Sequence, residues 1–227
     1  ATIVGRLGET REQVRIRQED LAMAWLRDAH PGPGKTFADI VTPVLPVLER
    51  GLLTASGERK ADLLAHLGWA AFLQFRDDGR LRNPEARYQE ALRLDPENPY
   101  AHAHLGHWML WRNGPLAAGA AEFSAALRSS RARDYVRKIQ IAALQNRRSE
   151  EGDGELLAVV NEMRRNKELL DDRTRARVFT IYVSALDRHE AMRRQPLNTV
   201  PPVEHLETFQ TLFSDQGFEP SRRARRD

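Results

Sequence analysis

Residues 91–106 read ALRLDPENPYAHAHLG, and this stretch holds the end of one helix, a tight turn and the start of the next helix. Pro96 cannot continue the preceding helix, because it lacks a backbone N–H and its ring clashes with the previous turn. Asn98 is a favourable N-cap, and Pro99 suits the first helical position, where an N–H would have no partner. The stretch therefore predicts one helix that ends at Leu94 and another that begins at Pro99.

The same signals recur on both sides of this stretch. Pro is favoured at a helix start and Gly just past a helix end, so each such pair marks a boundary. The predicted boundaries are Asp78-Gly79, Asn83-Pro84-Glu85, Asn113-Gly114 and Pro115. They define a helix that closes at Asp78, one up to Leu94, one from Pro99 to about Arg112 and one over 116–128. Short helices joined by short turns are typical of antiparallel helix pairs.

The helix pairs resemble one another in sequence. A Leu-Gly pair occurs at 67–68 and again at 105–106, and each is followed by an aromatic residue with Ala three positions later, at 88–91 and at 123–126. This pattern is similar to the tetratricopeptide repeat, where the Gly lets the second helix approach the first, and Pro96 lies where that family ends its repeat. The match is close over 99–130. It is looser over 61–97, where the turn at 76–82 is longer than usual.

The resemblance implies an all-α fold, a right-handed α-solenoid of about three helix pairs with capping helices at both ends. We expect a helical segment over 1–57, the repeat array over 58–190, and a linker, short capping helix and basic tail over 191–227. Periodicity places helices outside the close match as well. They are 9–28, a stretch at 37–53 that is broken by Pro43 and Pro46, 134–146, 155–167 after a turn at 147–154, 171–188 and 203–213.

Composition narrows the class of protein. The 227 residues hold 35 basic and 32 acidic side chains and no Cys, which excludes disulfides, thiolate zinc sites and Cys nucleophiles. No apolar run approaches the ~18–20 residues that span a bilayer, so we expect no membrane insertion. The chain is expected to be soluble. The cytoplasm is slightly favoured, and a periplasmic or anchored location stays open because the sequence begins at Ala1 rather than Met.

No pattern predicts catalysis, a cofactor or a metal. The GPGKT sequence at 32–36 resembles a phosphate-binding loop, but no strand precedes it and Pro33 removes one of the N–H groups that such a loop needs, so we expect a turn. His104 and His107 share a helix face, with His102 on another and His66 one repeat earlier. No acidic residue lies between 100 and 112, so these histidines are expected to pack rather than to bind a metal.

The resemblance implies a partner-binding concave face, formed by the first helix of each pair. Its predicted residues combine aromatic anchors with titratable donors, a composition that is common in binding hot spots. They are Asp62, His66, Trp69, Leu73, Tyr100, His104, His107 and Trp111. The Lys, Asn and Arg residues with which some members of this family grip a carboxylate are missing. The alternative is that these aromatic side chains pack against the N-terminal helices, because Trp is buried on average.

The expected function is that of an adaptor or scaffold, which binds a peptide or helix of another protein and acts on no small-molecule substrate. One alternative is a regulatory or sensory module of a larger, membrane-anchored protein. A weaker alternative is nucleic-acid binding through basic residues near the C-terminus, which are Arg222, Arg223, Arg225 and Arg226. The sequence leaves the identity of the partner and the oligomeric state open.

Overall fold

Every regular element in residues 2–80, 83–147 and 149–168, the part of the chain that the computed structural model describes, is an α-helix. The all-α class is therefore confirmed over these residues. In chain order the helices are α1 Thr2–Arg27, α2 Phe37–Val41, α3 Leu45–Thr54, α4 Gly57–Asp78, α5 Pro84–Leu94, α6 Pro99–Trp111, α7 Leu116–Ala126, α8 Arg133–Asn146 and α9 Glu150–Arg165. The predicted helices at 171–188 and 203–213 and the basic tail lie outside the described residues.

The helix boundaries around residues 91–106 follow from the capping residues of this segment. The Asn98 side chain accepts a hydrogen bond from the Ala101 N–H at 2.9 Å, and Pro99 is the first residue of α6. Gly79 ends α4 in the left-handed conformation, with φ of 66°, which a residue without a Cβ adopts at little cost. The predicted break at 37–53 is also present, because Pro43 lies in the turn between α2 and α3.

Asn83 and Pro84 begin α5, as predicted; Asn83 is the N-cap, in the left-handed conformation with φ of 40°, which Asn tolerates, and it makes no side-chain capping hydrogen bond. One local prediction was wrong. The predicted turn at 147–154 is largely helical, since α9 already begins at Glu150. There the Ser149 hydroxyl accepts a hydrogen bond from the Gly152 N–H at 3.1 Å. Gly152 is required by the close approach of the Arg147 carbonyl, which a Cβ would meet at 2.3 Å.

Small residues allow α4 to pack closely against α5, and α6 against α7. A Cβ on Gly68 would lie 2.5 Å from the Tyr88 ring, and a Cβ on Gly106 would lie 3.2 Å from the Phe123 ring. Each glycine thus leaves the space that the aromatic side chain of the following helix fills. Alanines extend this core between α4, α5 and α6; they are Ala61, Ala65, Ala91 and Ala101.

The chain divides into two compact units, residues 1–139 and 140–227, and the boundary between them falls within α8. In the first unit, α1, α2 and α3 all contact α4. The predicted divisions near 57 and 190 remain predictions.

Candidate partner-binding site

The eight predicted site residues lie on two neighbouring helices. Asp62, His66, Trp69 and Leu73 are on α4, and Tyr100, His104, His107 and Trp111 are on α6. Their spacing of three or four residues places each set along one side of its helix. The aromatic rings of the two helices meet: the ring centroids of Trp69 and His104 are 4.8 Å apart, and those of His66 and Tyr100 are 4.7 Å apart. We call the side of α4 and α6 that carries these eight residues the α4/α6 face.

The α4/α6 face is largely covered in this structure. Tyr100 and Trp111 are partly exposed, whereas the other six predicted side chains are buried, with exposed fractions of 8% or less. A buried side chain reaches a partner only if whatever covers it moves. The assignment of these residues to partner binding therefore stays a prediction, and the identity of the covering element matters.

The C-terminal end of α1 covers the part of the face around His66, Trp69 and Tyr100, and Tyr135 of α8 covers His104. Leu26 is fully buried, and its backbone carbonyl accepts a hydrogen bond from Trp69 Nε1 at 3.2 Å. One residue later, the Arg27 guanidinium lies 3.2 Å from His66 Nε2. About two turns earlier in α1, the Glu19 carboxylate accepts hydrogen bonds from Arg59 of α4 at 2.7 and 3.0 Å. The alternative drawn from the sequence, that the aromatic side chains pack against the N-terminal helices, holds for Trp69 in this structure.

Hydrogen bonds fix the protonation of the two central histidines. His66 Nδ1 lies 2.7 Å from the Asp62 carbonyl oxygen, which can only accept, so Nδ1 carries the proton and Nε2 accepts from Arg27. His104 has the same arrangement. Its Nδ1 faces the Ala65 carbonyl at 3.2 Å, and its Nε2 accepts from the Tyr135 hydroxyl at 2.7 Å.

Burial keeps both rings neutral. Loss of solvent lowers the pKa of His66 to about 3, and the positive charge of Arg27 acts in the same direction. Burial also lowers the pKa of His104 well below the ordinary value for histidine. These histidines thus offer the face a pattern of neutral donors and acceptors at neutral pH.

Arg27 occupies a pocket made of aromatic rings. Its guanidinium carbon lies 5.3 Å from the ring centroid of Tyr100 and 5.8 Å from that of Tyr135, distances at which a cation is attracted to a π face. Among the described residues no carboxylate pairs with Arg27. Together with the lone pair of His66 Nε2, the two rings form what we call the arginine pocket. Tyr135 was not among the predicted site residues, because it belongs to a helix outside the two matched pairs.

Asp62 has a structural partner set. It accepts a hydrogen bond from Asn98 Nδ2 at 2.7 Å and two from the Arg131 guanidinium at 2.9 and 3.2 Å. Burial raises the pKa of Asp62, although the bonds from Asn98 and Arg131 oppose that shift. Asp62 therefore ties α4 to the N-terminus of α6 and to the turn before α8.

The side of α1 that faces away from α4 is apolar and exposed. Val14, Leu21 and Trp25 are 51, 67 and 59% exposed, and their spacing places them along one stripe of the helix. Trp25 Nε1 donates a hydrogen bond to the Ile40 carbonyl at 3.1 Å, which holds the ring in place. α1 thus has one buried face and one exposed face, which differ in their contacts.

The other sequence patterns have structural roles. Residues 32–35 form a turn, and Thr36 caps α2 by accepting from the Asp39 N–H while the Asp39 carboxylate accepts from the Thr36 N–H. In the described ranges, no three acidic or histidine side chains cluster as metal ligands would. Across the same ranges no helix combines the length and the apolar character that a membrane crossing requires.

Comparison with known proteins adds no identity to this geometry. No family model matches the chain, and no curated protein and no solved structure matches it.

Proposed function

We propose that this chain is a protein-interaction adaptor of the tetratricopeptide type, which holds a helix of a partner protein on the α4/α6 face. The observation that carries the proposal is that this face already holds a helix. The C-terminal turns of α1 rest on it through a buried Leu, a backbone carbonyl and an arginine. A face whose donors, acceptors and rings fit one amphipathic helix offers the same groups to another.

The packing of the helix pairs supports the repeat assignment and the right-handed α-solenoid that it implies. Gly68 faces Tyr88 and Gly106 faces Phe123. These are the equivalent positions of the two similar segments, and each contact joins the first helix of a pair to the second. When such pairs stack, the first helices line one side of the array, where a ligand can bind. We assign a structural role to His66 and His104, whose ring nitrogens lie in hydrogen bonds to backbone carbonyls, to Arg27 and to Tyr135.

The test substitutes two partly exposed side chains at the edge of the face, so that the fold of the chain is preserved. Immobilised wild-type chain captures partners from a lysate of the source cells, the captured proteins are identified, and binding is repeated with the purified candidate. Tyr100→Ala and Trp111→Ala should each weaken that binding at least about tenfold, as hot-spot aromatic residues do. Leu53→Ala is the matched control, because Leu53 is 84% exposed on α3 and should not affect binding.

Two results would contradict the proposal. One is a purified partner that binds the Tyr100 and Trp111 variants as tightly as it binds the wild type. The other is equal weakening by the Leu53 variant, which would point to a surface outside the α4/α6 face. Far-UV circular dichroism and thermal melting of each variant separate loss of binding from loss of fold.

A further inference from the structure

We infer that the α4/α6 face selects helices that end in a Leu-Arg pair, and that α1 is its resident, displaceable occupant. This inference rests on the proposed function and adds the chemical class of the partner and the way in which access to the face is controlled. It follows from three contacts between α1 and the rest of the first unit, and from the loop that connects α1 to α2.

The first contact recognises the C-terminal end of a helix. The last carbonyls of an α-helix have no partner within the helix, so they need donors from elsewhere. Trp69 Nε1 donates to the Leu26 carbonyl at 3.2 Å, in addition to the Ala29 N–H at 3.3 Å, and the Leu26 side chain is fully buried. Met23, one turn earlier, is also buried. The face therefore accepts the last two turns of a helix that carries apolar residues three apart on its inner side.

The second contact, in the arginine pocket, recognises an arginine side chain. The arginine pocket offers two aromatic rings and the lone pair of a neutral histidine, and the Tyr100 ring is shared with the Arg131 guanidinium, which pairs with Asp62. A flat, weakly hydrated guanidinium can lie against rings and donate to Nε2 at once, whereas a compact lysine ammonium keeps its water and fits less well. The pocket thus favours Arg over Lys at the position that follows the buried Leu.

The third contact recognises an acidic residue about two turns before the Leu-Arg pair. Arg59 of α4 donates to the Glu19 carboxylate at 2.7 and 3.0 Å, to the carbonyl of Ile16 at 3.0 Å, and also to Asp20. Glu19 is eight residues before Arg27 and lies on the same inner side of α1. The selected helix therefore carries an acid, a central apolar residue and a terminal Leu-Arg pair, as Glu19, Met23, Leu26 and Arg27 do here.

The connection of α1 to α2 allows α1 to leave as a unit. Residues 28–36 form no helix and are mostly exposed, and they include Pro31, Gly32, Pro33 and Gly34. Moving α1 leaves the cap of α2, made by Thr36 and Asp39, in place, and it breaks the hydrogen bond from Trp25 to the Ile40 carbonyl. As long as α1 is attached, it competes at a high effective concentration and keeps weaker helices off the face.

The experiment adds α1 as a separate ligand. The probe is a fluorescein-labelled synthetic peptide of residues 10–28, and the receptor is the full 227-residue chain, either wild type or Arg27→Ala. The variant weakens the resident helix but leaves every receptor side chain on α4, α6 and α8 unchanged. We expect the peptide to bind the variant at least about tenfold more tightly than the wild type in fluorescence anisotropy, because the internal competitor is weaker.

Peptide variants test the selectivity. Arg27→Lys and Leu26→Ala in the peptide should each weaken binding at least about threefold, since they alter the arginine pocket contact and the buried apolar contact. Leu21→Ala is the matched control, because Leu21 lies on the exposed side of α1 at 67% exposure. A Leu26→Ala chain provides a second weakened receptor if the Arg27→Ala chain does not melt cooperatively.

Three results would overturn the inference: no peptide binding to either weakened receptor, equal affinity of the wild-type and weakened receptors, or equal losses from Leu21→Ala and Leu26→Ala. The first would make α1 a permanent part of the core. These failures differ from failure of the proposed function. A purified partner that is sensitive to Tyr100→Ala would still support the adaptor even if the α1 peptide did not bind.

Discussion

His102 requires a protonated ring, whereas His66 and His104 require a neutral one. His66 and His104 each place one nitrogen on a carbonyl and the other on a donor, so the neutral ring satisfies both. His102 instead places Nδ1 2.6 Å from the Glu122 carboxylate and Nε2 2.9 Å from the Pro96 carbonyl. Both partners of His102 are acceptors, so only the charged ring, with two N–H groups, satisfies both.

This arrangement predicts a pH-dependent contribution of His102 to stability. Burial alone lowers its pKa, but the bonds to Glu122 and Pro96 outweigh burial and raise the pKa above the ordinary value. The stabilisation is therefore complete below about pH 6.5 and is lost as the pH rises through the pKa of the folded state. Urea unfolding should show wild type more stable than His102→Gln by about 1 kcal/mol at pH 5.5. The difference should shrink at pH 8.5.

Glu122→Gln tests the cause of this effect. Without the carboxylate, the charged ring loses its main partner, so the additional pH dependence should disappear in this variant too. A gap between wild type and His102→Gln that is the same at both pH values would show that His102 acts through packing alone.

At the scale of the elements, the α4/α5 pair depends on the missing side chain of Gly68. A Cβ there would lie 2.5 Å from Cε1 of Tyr88, and Tyr88 is fully buried. The higher helix propensity of Ala offsets at most about 1 kcal/mol of the resulting clash. The close approach of α4 and α5 thus follows from a contact between two particular side-chain positions.

Gly68→Ala should therefore destabilise the chain by about 1–3 kcal/mol, the usual cost of overpacking a core. Urea unfolding of Gly68→Ala, of Tyr88→Leu and of the double variant measures the coupling between the two positions. We expect the alanine to cost much less when Tyr88 is already Leu, because the branched side chain is shorter than the ring. Equal costs in both backgrounds would mean that Gly68 is needed for another reason.

For the whole molecule, α1 and α4 differ in how many of their sides are packed. All residues of α4 from Ala61 to Leu73 are buried, whereas α1 keeps one side exposed over residues 10–27. Elements with fewer buried contacts open with smaller free energies than the core does. The proposed displacement of α1 by a partner requires that α1 open at the lower end of that range.

Hydrogen exchange should show this hierarchy. In the full chain without a partner, amides of α1 over residues 10–27 should exchange at least about tenfold faster than those of α4 over residues 61–73, because α1 opens without unfolding the core. Mass spectrometry of deuterium uptake measures both segments in one sample. Arg27→Ala should accelerate exchange in α1 and leave α4 unchanged. Equal protection of the two helices would indicate that they unfold together.

Local sequence was sufficient for most of the helix boundaries, because those depend on groups a few residues apart. Asn98 bonds to Ala101, Pro43 interrupts the helices between α2 and α3, and Gly79 takes a conformation that other residues avoid. The sequence predicts too late a start for α9, because Gly152 resembles a turn signal. Its actual role is to make room for the Arg147 carbonyl.

The sequence by itself determined the helical class, most helix limits and the two helices whose sides meet in the α4/α6 face. Only the tertiary structure decided that this face is covered, and by what. The contact of Arg27 with His66 joins positions 39 residues apart, and that of His104 with Tyr135 joins positions 31 apart. Periodicity shows which side of a helix is apolar. It does not show which helices pack together, because the apolar sides of many helices in one chain could pair. Their pairing depends on shape and on buried hydrogen-bond partners, which exist only after the chain has folded.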